Sequence, residues 1–503
     1  MSGARVAAPL AHPEALFIDG EWRVPSTDST IAVEDATTEE VFLRVAEARE
    51  ADVDAAIAAA RTAFDLGPWP RLTHAERAGY LQAIADALEA RLADAAGLWV
   101  RESGIVHAAA QASVARVPQT FARHARLADD YPFEERHAPT AGGEYGLLVR
   151  EPVGVVAAIV PWNVPLGLAA HKIAPALLAG CAIVLKASPE APGSAYLLAE
   201  IAEQVGLPAG VLNVVTADRE VSERLVRDPR VDKIAFTGST AAGRRIAAIA
   251  GDRIARYTLE LGGKSAAVIL DDFDLGQAAK TLAGAECFLS GQVCSSITRI
   301  VVDRARHDDF VDALAAEFAA VRVGDPFADG VGMGPLAIER QRDRVLDLVA
   351  QAKAEGSRLA TGGGVPEGLE RGWFVEPTVF AGVDSQATIA REEVFGPVLT
   401  VLPADGEDDA VRIANDSIYG LNASVFTNDA DRALAVARRL RSGTVGHNAY
   451  RTDYGIAFGG VKQSGVGREG GREGIAAYLE TKTIILDAVP MRSDSASDVE
   501  GAA

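Results

Sequence analysis

The chain has 503 residues, a formal net charge of −21 and a hydrophobic content of 49%. This length exceeds one compact core, so we expect two or more domains, and the acidic surface disfavours nucleic-acid binding because it repels phosphate backbones. No apolar stretch reaches transmembrane length and no basic-then-apolar signal pattern opens the chain, so we expect a cytoplasmic protein with no membrane partner.

The cysteines and histidines argue against a disulfide framework and against a metal centre. Only Cys181, Cys287 and Cys294 are present, and this odd, sparse set indicates reduced thiols. The eight histidines are scattered without metal-ligand spacing. We therefore expect no metal.

The first third of the chain is mainly helical by pattern. Ala-rich amphipathic periodicity predicts helices over residues 51–64, 75–101 and 107–129. A Pro/Gly-containing turn then leads into a short strand at 145–150. We expect that strand to project as an arm.

From residue 153 the pattern becomes an alternation of strands and helices. The strands are predicted at 153–160, 182–185, 211–215, 231–236 and 256–260, and the helices at 165–178, 194–205, 220–226 and 241–250. This alternation predicts a parallel sheet with helices on both faces. Ligands bind beyond the carboxyl ends of such strands, and polar or glycine positions lie at or just after those ends: Asn163, Lys186, Gly238, Ser239 and Glu260.

A second α/β series begins near residue 263. Its strands are predicted at 265–270, 299–302, 398–401 and 424–426, and its helices at 275–289, 308–320 and 341–355. A late strand is expected at 481–486. The fold class is therefore α/β, with two doubly wound parallel-sheet domains and a small β arm.

Cys294 is the residue with the clearest chemical potential. It lies in residues 291–296 (GQVCSS), among polar and small neighbours rather than in an apolar core pattern. Cys294 could be a nucleophile or a buried core thiol, and Glu260 a base or a surface carboxylate. Asn163 could be an amide donor or a turn residue.

Six segments of the chain form a recognisable set: 161–165 (PWNVP), 236–239 (FTGS), 259–264 (LELGGK), 291–296 (GQVCSS), 393–397 (EVFGP) and 458–462 (FGGVK). Together they resemble the motifs of the aldehyde dehydrogenase superfamily. The likeness follows the order of the family's motifs and runs from about residue 17 to 483.

The resemblance implies NAD(P)-dependent oxidation of a small-molecule aldehyde to a carboxylic acid. Cys294 would form a hemithioacetal and then a thioester, and Glu260 would activate the water that hydrolyses it. Asn163, with the Cys294 backbone N–H, would stabilise the oxyanion. Glu469 is implied as part of a proton relay.

The resemblance also implies cofactor-binding residues. Lys186 would bind the adenosine ribose, Gly238 and Ser239 the pyrophosphate, and Glu393 the nicotinamide ribose. Trp162 and Phe395 complete the implied set. Many NAD-preferring members carry a glutamate where this chain has Pro189, unless Glu190 substitutes, so we expect NAD with NADP as the alternative.

We predict the following domain organisation. Residues 1–132 and 152–262 form the cofactor-binding domain and 263–460 the catalytic domain. Residues 133–151 and 461–488 bridge or oligomerise, giving a homodimer or homotetramer, and 489–503 form a disordered tail.

Val164, Leu168 and His171 stand where relatives acting on small aldehydes often carry bulkier side chains, which predicts a wider pocket for longer or branched aldehydes. His171 is expected to pack, with substrate contact as the alternative. Three rival functions stay open: a CoA-acylating relative, a cysteine hydrolase, and a non-catalytic protein on the same fold.

Overall fold

A computed structural model describes residues 8–490 of the chain. The strands are β1 Leu16–Ile18, β2 Glu21–Arg23, β3 Thr30–Glu34, β4 Val41–Ala46, β5 Glu134–His137, β6 Tyr145–Pro152, β7 Val155–Ile159, β8 Ala182–Ala187, β9 Leu212–Thr216, β10 Lys233–Thr237, β11 Arg256–Glu260, β12 Ser265–Ile269, β13 Ile297–Asp303, β14 Arg358–Thr361, β15 Thr378–Ala381, β16 Val398–Ala404, β17 Asn422–Phe426, β18 Thr444–His447, β19 Gly465–Val466 and β20 Leu479–Leu486. The helices are α1 Glu50–Asp65, α2 His74–Glu89, α3 Leu92–Ser103, α4 His107–Val114, α5 Val117–Asp130, α6 Pro165–Ala179, α7 Gly193–Gln204, α8 Arg219–Arg227, α9 Thr240–Asp252, α10 Leu275–Cys287, α11 His307–Ala319, α12 Glu339–Ala354, α13 Thr388–Arg391, α14 Glu407–Asn415, α15 Ala430–Ala437 and α16 Gly471–Ala476.

The first sheet has the strand order β19-β11-β10-β7-β8-β9-β1-β2. Its centre, from β11 to β9, is parallel, and the outer strands β19 and β1 pair antiparallel to it. Every residue of β7, β8, β9 and β10 is buried, as expected when helices cover both faces of a parallel sheet. The predicted doubly wound architecture is confirmed.

The second sheet has the order β14-β15-β16-β13-β12-β17-β18 and is parallel except for the edge strand β14. The chain crosses from β11 of the first sheet to β12 of the second through residues 261–264 alone. The residues that end one sheet and begin the other therefore lie close together.

A third, three-stranded sheet joins distant parts of the chain. Strand β6 pairs along its whole length with β20 on one side, and its residues 146–149 pair with β5 on the other. The predicted strands at 145–150 and 481–486 are thus real and are partners within one chain. The division into domains and the assembly state stay predictions, and the predicted tail lies outside the described residues from 491 onward.

Two predicted helices were wrong in extent, because each is two helices. The stretch 75–101 breaks between α2 and α3, where Arg91 leaves the helix and binds Glu200 at 3.0 Å. The stretch 107–129 breaks before α5, which carries Pro118 in its first turn, where the missing N–H costs no helical hydrogen bond. The first break depends on a residue distant in sequence, whereas the second has a local cause.

Within residues 8–490, no helix combines the length and the apolar character that a bilayer crossing requires.

Substitution of Phe121 would test how helices α2, α5 and α6 pack together. It lies on α5, which packs against α2 and α6, and it is fully buried. We expect Phe121→Ala to cost about 3–5 kcal/mol through lost burial and a residual cavity. Leu434→Ala, at a side chain that is 53% exposed, should change stability by no more than about 0.5 kcal/mol. Thermal unfolding followed by circular dichroism measures both, and equal midpoints would contradict the assignment of Phe121 to the core.

Candidate active site

The candidate site lies where the parallel strands of the first sheet end and the second sheet begins. Asn163 follows β7, Lys186 is the penultimate residue of β8, and Glu260 is the last residue of β11. Cys294 comes from the other side, in the loop between α10 and β13. A side chain at Gly263 would collide with the carbonyl oxygen of Cys294, so the loop and the sheet crossing are in direct contact.

The loop that carries Cys294 is tightly turned. After α10, Leu289, Ser290 and Gly291 have φ angles of 51°, 54° and 72°, a left-handed run that costs energy at the two non-glycine positions. Ser290 compensates by donating from Oγ to the Gly334 carbonyl at 2.9 Å. A side chain at Gly291 would collide with the Gly396 carbonyl. The turn therefore sets Cys294 against the segment that contains Glu393.

Gln292 fixes the same loop from inside. Its fully buried amide donates to the Leu289 carbonyl at 3.0 Å and accepts from the Ala337 N–H at 2.9 Å. Its backbone carbonyl accepts from Asn163 Nδ2 at 2.8 Å. Asn163 and the cysteine loop are thus joined directly, two residues before Cys294.

The Asn163 segment is itself held by α3. Trp99 Nε1 donates to the Asn163 carbonyl at 2.6 Å, and Ser103 Oγ donates to the Trp162 carbonyl at 2.7 Å. Asn163 is 4% exposed. Because one amide hydrogen is used by Gln292, the other remains available to a ligand.

Cys294 differs in exposure from the other two cysteines. Cys181 and Cys287 are buried, whereas Cys294 keeps partial exposure. Burial of the thiol, together with the negative charges of Glu393 and Glu260, raises the pKa of Cys294 to about 12. The resting thiol is therefore protonated, and a nucleophilic role requires a nearby base.

Glu260 is a buried carboxylate with neither oxygen hydrogen-bonded among the described residues. Burial, and then the negative charge of Glu469, raise its pKa well above the usual value. Glu469 accepts a hydrogen bond from Lys172, which also donates to Thr237 Oγ1 at 2.7 Å. Two carboxylates and one ammonium group thus share one buried region.

Sequence reasoning missed Lys172, Gln292 and Trp99. Lys172 carried a usable signal, because it is a lysine inside an otherwise apolar helix, α6. Gln292 and Trp99 carried none that separates them from ordinary packing residues, since their contacts lie 45 and 64 positions away in sequence.

The residues expected to bind a dinucleotide lie along the first sheet's carboxyl edge. Ser239 caps α9, with its Oγ accepting from the Ala242 N–H at 3.3 Å, and the Gly238 N–H donates to the Glu260 carbonyl at 3.0 Å. A side chain at Gly238 would meet the Phe236 ring. This strand–turn–helix geometry suits an anion at the helix N-terminus.

Lys186 is 8% exposed, and its amine has no hydrogen-bond partner among the described residues. Burial lowers its pKa to about 8, against the opposing negative charges of Glu190 and Asp218. A buried, unpartnered amine at a strand end fits a hydroxyl-bearing ligand such as a ribose.

Glu393, Phe395 and Trp162 meet at the other end of this edge. Glu393 Oε1 accepts from the Gly263 N–H at 3.0 Å, and burial raises its pKa to about 7. The Phe395 and Trp162 rings are 5.4 Å apart and perpendicular. Six of the nine predicted site residues thus lie at or just after strand ends of the first sheet, and Cys294, Glu393 and Phe395 approach them from loops of the second. No group of three His, Cys, Asp or Glu side chains within residues 8–490 could hold a metal ion.

Comparison with known proteins gives one consistent result. A family model described as "Aldehyde dehydrogenase family" matches residues 22–484. The geranial dehydrogenase of Castellaniella defragrans is 44% identical, covering 94% of this chain and 98% of that one. The 3-succinoylsemialdehyde-pyridine dehydrogenase of a Pseudomonas species is 42% identical, covering 93% and 98%.

Solved structures agree with the sequence matches. An aldehyde dehydrogenase of Mycobacterium tuberculosis in complex with NAD+ has a TM-score of 0.92 and 45% identity, covering 94% of this chain and 98% of that one. Aldehyde dehydrogenase C of Pseudomonas syringae, in complex with NAD+ and octanal, has a TM-score of 0.91 and 39% identity, covering 95% and 97%. This chain therefore belongs to the aldehyde dehydrogenase family and is an NAD(P)-dependent aldehyde dehydrogenase.

Proposed function

We propose that the enzyme oxidises an aldehyde to a carboxylic acid through a thioester on Cys294, which water activated by Glu260 then hydrolyses. The observation that carries this proposal is a partly exposed thiol near a buried carboxylate whose two oxygens have no hydrogen-bond partner among the described residues. Acyl chemistry needs a nucleophile, a base and an amide donor, and Cys294, Glu260 and Asn163 supply these where the first sheet ends and the second begins.

The first step forms a carbon–sulfur bond. The Cys294 sulfur attacks the aldehyde carbon, and the thiol proton passes to Glu260, which has a free oxygen to accept it. Negative charge develops on the former carbonyl oxygen. The second amide hydrogen of Asn163 and the Cys294 backbone N–H stabilise that charge, an effect worth about 100–1000-fold in rate per donor.

The same edge of the sheet holds the cofactor. Lys186 and Glu393 would hold the two riboses and the Gly238–Ser239 turn the pyrophosphate, and Trp162 and Phe395 would complete the cofactor site. NAD supplies the oxidation when it is bound, by accepting two electrons and the hydrogen of the aldehyde carbon. The protein contributes position and charge.

The last step uses Glu260 as a base, after the proton that it took from the Cys294 thiol has left to solvent. It takes a proton from a water molecule, the resulting hydroxide attacks the thioester carbon, and the carbon–sulfur bond breaks to release the acid. Glu469 and Lys172 adjoin Glu260 in the buried region and provide a route by which the proton leaves.

Longer or branched aldehydes fit the substrate side best. Val164, next to Asn163, and Gly167 in the first turn of α6 are smaller than aromatic side chains and line a cavity there. Relatives support this class, because one acts on geranial and another was solved with octanal. His171 is half-buried and stacks on Tyr454, with ring centroids 3.7 Å apart, so it both packs and borders the substrate side.

We also infer a homodimer or homotetramer. The outer strands β5 and β18 of their sheets offer unpaired backbone edges for a second subunit.

Two variants test the nucleophile and the base of the mechanism. Cys294→Ala should reduce no NAD with any aldehyde and should still bind NAD, because its thiol makes the covalent bond. Glu260→Gln should still bind NAD but should form the first equivalent of NADH slowly and turn over at least about 100-fold more slowly than the wild type, because thiol attack and hydrolysis both lack their base. Stopped-flow absorbance of NADH measures both. Full turnover by Cys294→Ala would refute the nucleophile, and full steady-state turnover by Glu260→Gln would refute the base.

The pH dependence should follow the charges around Glu260. A base works deprotonated, so hydrolysis is lost as pH falls through the pKa of Glu260. Glu469→Gln removes a negative neighbour, lowers the pKa of Glu260 and should move the acidic limb of the kcat profile down by about one pH unit. Lys172→Met removes a positive neighbour and should move that limb upward. Shifts in the same direction for both variants would contradict this electrostatic account.

A further inference from the structure

A cavity of about 160 Å³ lies between α3, the α4–α5 junction and the start of α6. Most of its wall is apolar, from side chains of Trp99, Val114, Val117, Val164 and Leu166. A protein cavity of about 150 Å³ admits a benzene ring, so this one has room for an apolar chain of about six carbons.

The cavity adjoins the catalytic residues. Val164 in its wall follows Asn163 directly, and Trp99 donates to the Asn163 carbonyl. His171, also in the wall, stacks on Tyr454, whose pKa is raised by burial and then by the negative charge of Glu469. An aldehyde bonded to Cys294 can therefore extend its chain into this space.

Arg116 lies at the outer part of the same wall. It immediately precedes α5 and is exposed, and among the described residues its guanidinium has neither an ion-pair nor a hydrogen-bond partner. Carboxylates are abundant in a chain with a net charge of −21, yet no described carboxylate pairs with Arg116, so its guanidinium is available to an anionic ligand. It offers a planar donor pair suited to a carboxylate.

A second arginine strengthens the local positive charge. Arg123 lies seven residues after Arg116, on the same face of α5, and also has no side-chain partner within residues 8–490. It is close enough to His171 that its charge helps burial, His124 and Lys172 to lower the pKa of His171 well below its usual value. Arg123 does not line the cavity itself, so it adds to the positive charge near His171, and Arg116 is the cationic side chain in the cavity wall.

We propose that this cavity selects aldehydes whose apolar chain of about six carbons ends in a carboxylate, which Arg116 binds at the cavity mouth. The inference rests on the proposed function, since it assigns the substrate class of the same site. Neutral His171, with a buried and unpartnered Nδ1, lines the chain's path without competing for the carboxylate.

The test compares two aldehydes of equal length, 8-oxooctanoate and octanal. The wild-type enzyme should show a kcat/KM for 8-oxooctanoate at least about tenfold above that for octanal, and salt should reduce this preference. Arg116→Gln should lower kcat/KM for 8-oxooctanoate by about 10–100-fold, mainly through KM, and leave octanal within about twofold. The octanal rate reports that the variant is folded.

Arg126→Gln is the matched control. Arg126 is an exposed arginine on α5, about 80° around the helix from Arg116, and it does not line the cavity. It should leave both substrates unchanged. Octanal oxidised as well as 8-oxooctanoate, or equal losses in the two arginine variants, would overturn the inference while leaving aldehyde oxidation intact. Failure of both aldehydes to reduce NAD would instead refute the proposed function.

Discussion

The active site depends on two adjacent glycines at the crossing between the two large sheets. A side chain at Gly262 would collide with the Glu393 carboxylate, and one at Gly263 would collide with the Cys294 carbonyl. The backbone there can approach both segments only because it carries no side chain. The same Gly263 N–H then donates to Glu393. Close approach at this point brings a loop of the second sheet to the last residue of the first.

The sheet crossing also determines the electrostatics of the site. Glu260 ends β11 and therefore cannot move away from the buried interior, where no hydrogen bond from the described residues stabilises its charge. The nearby Glu469 makes ionisation harder, and the Lys172 ammonium partly offsets that effect. Burial of an unpaired carboxylate is costly for stability, which is expected where a group serves chemistry rather than folding. Lys172 keeps the second carboxylate hydrogen-bonded and leaves Glu260 free.

The sequence predicted the parallel strands and their ends well, because buried β-branched runs followed by polar residues have few other interpretations. Asn163 and Glu260 were found by that argument together with the family resemblance. The contacts that hold them were not predictable locally. The hydrogen bonds of Gln292 with Ala337 and of Trp99 with Asn163 join residues 45 and 64 positions apart, and helix or strand periodicity gives no information on contacts at that separation. The break between α2 and α3 was also not predictable locally. The local composition favours one continuous helix there, but Arg91 lies outside both helices and forms an ion pair with the distant Glu200.

The turn after β8 shows how a departure from the family pattern is offset. Pro189 removes the carboxylate that many NAD-preferring relatives carry there, yet Glu190 stands next to it, bound by Ser188 and by Arg340 of α12. Its negative charge still acts on Lys186, since it opposes the effect of burial on the pKa of that lysine. A 2′-phosphate near Lys186 would meet this carboxylate, whereas a ribose hydroxyl could donate a hydrogen bond in the same region. Because a carboxylate stands one residue later, we expect NAD rather than NADP, although Glu190 is also paired with Arg340.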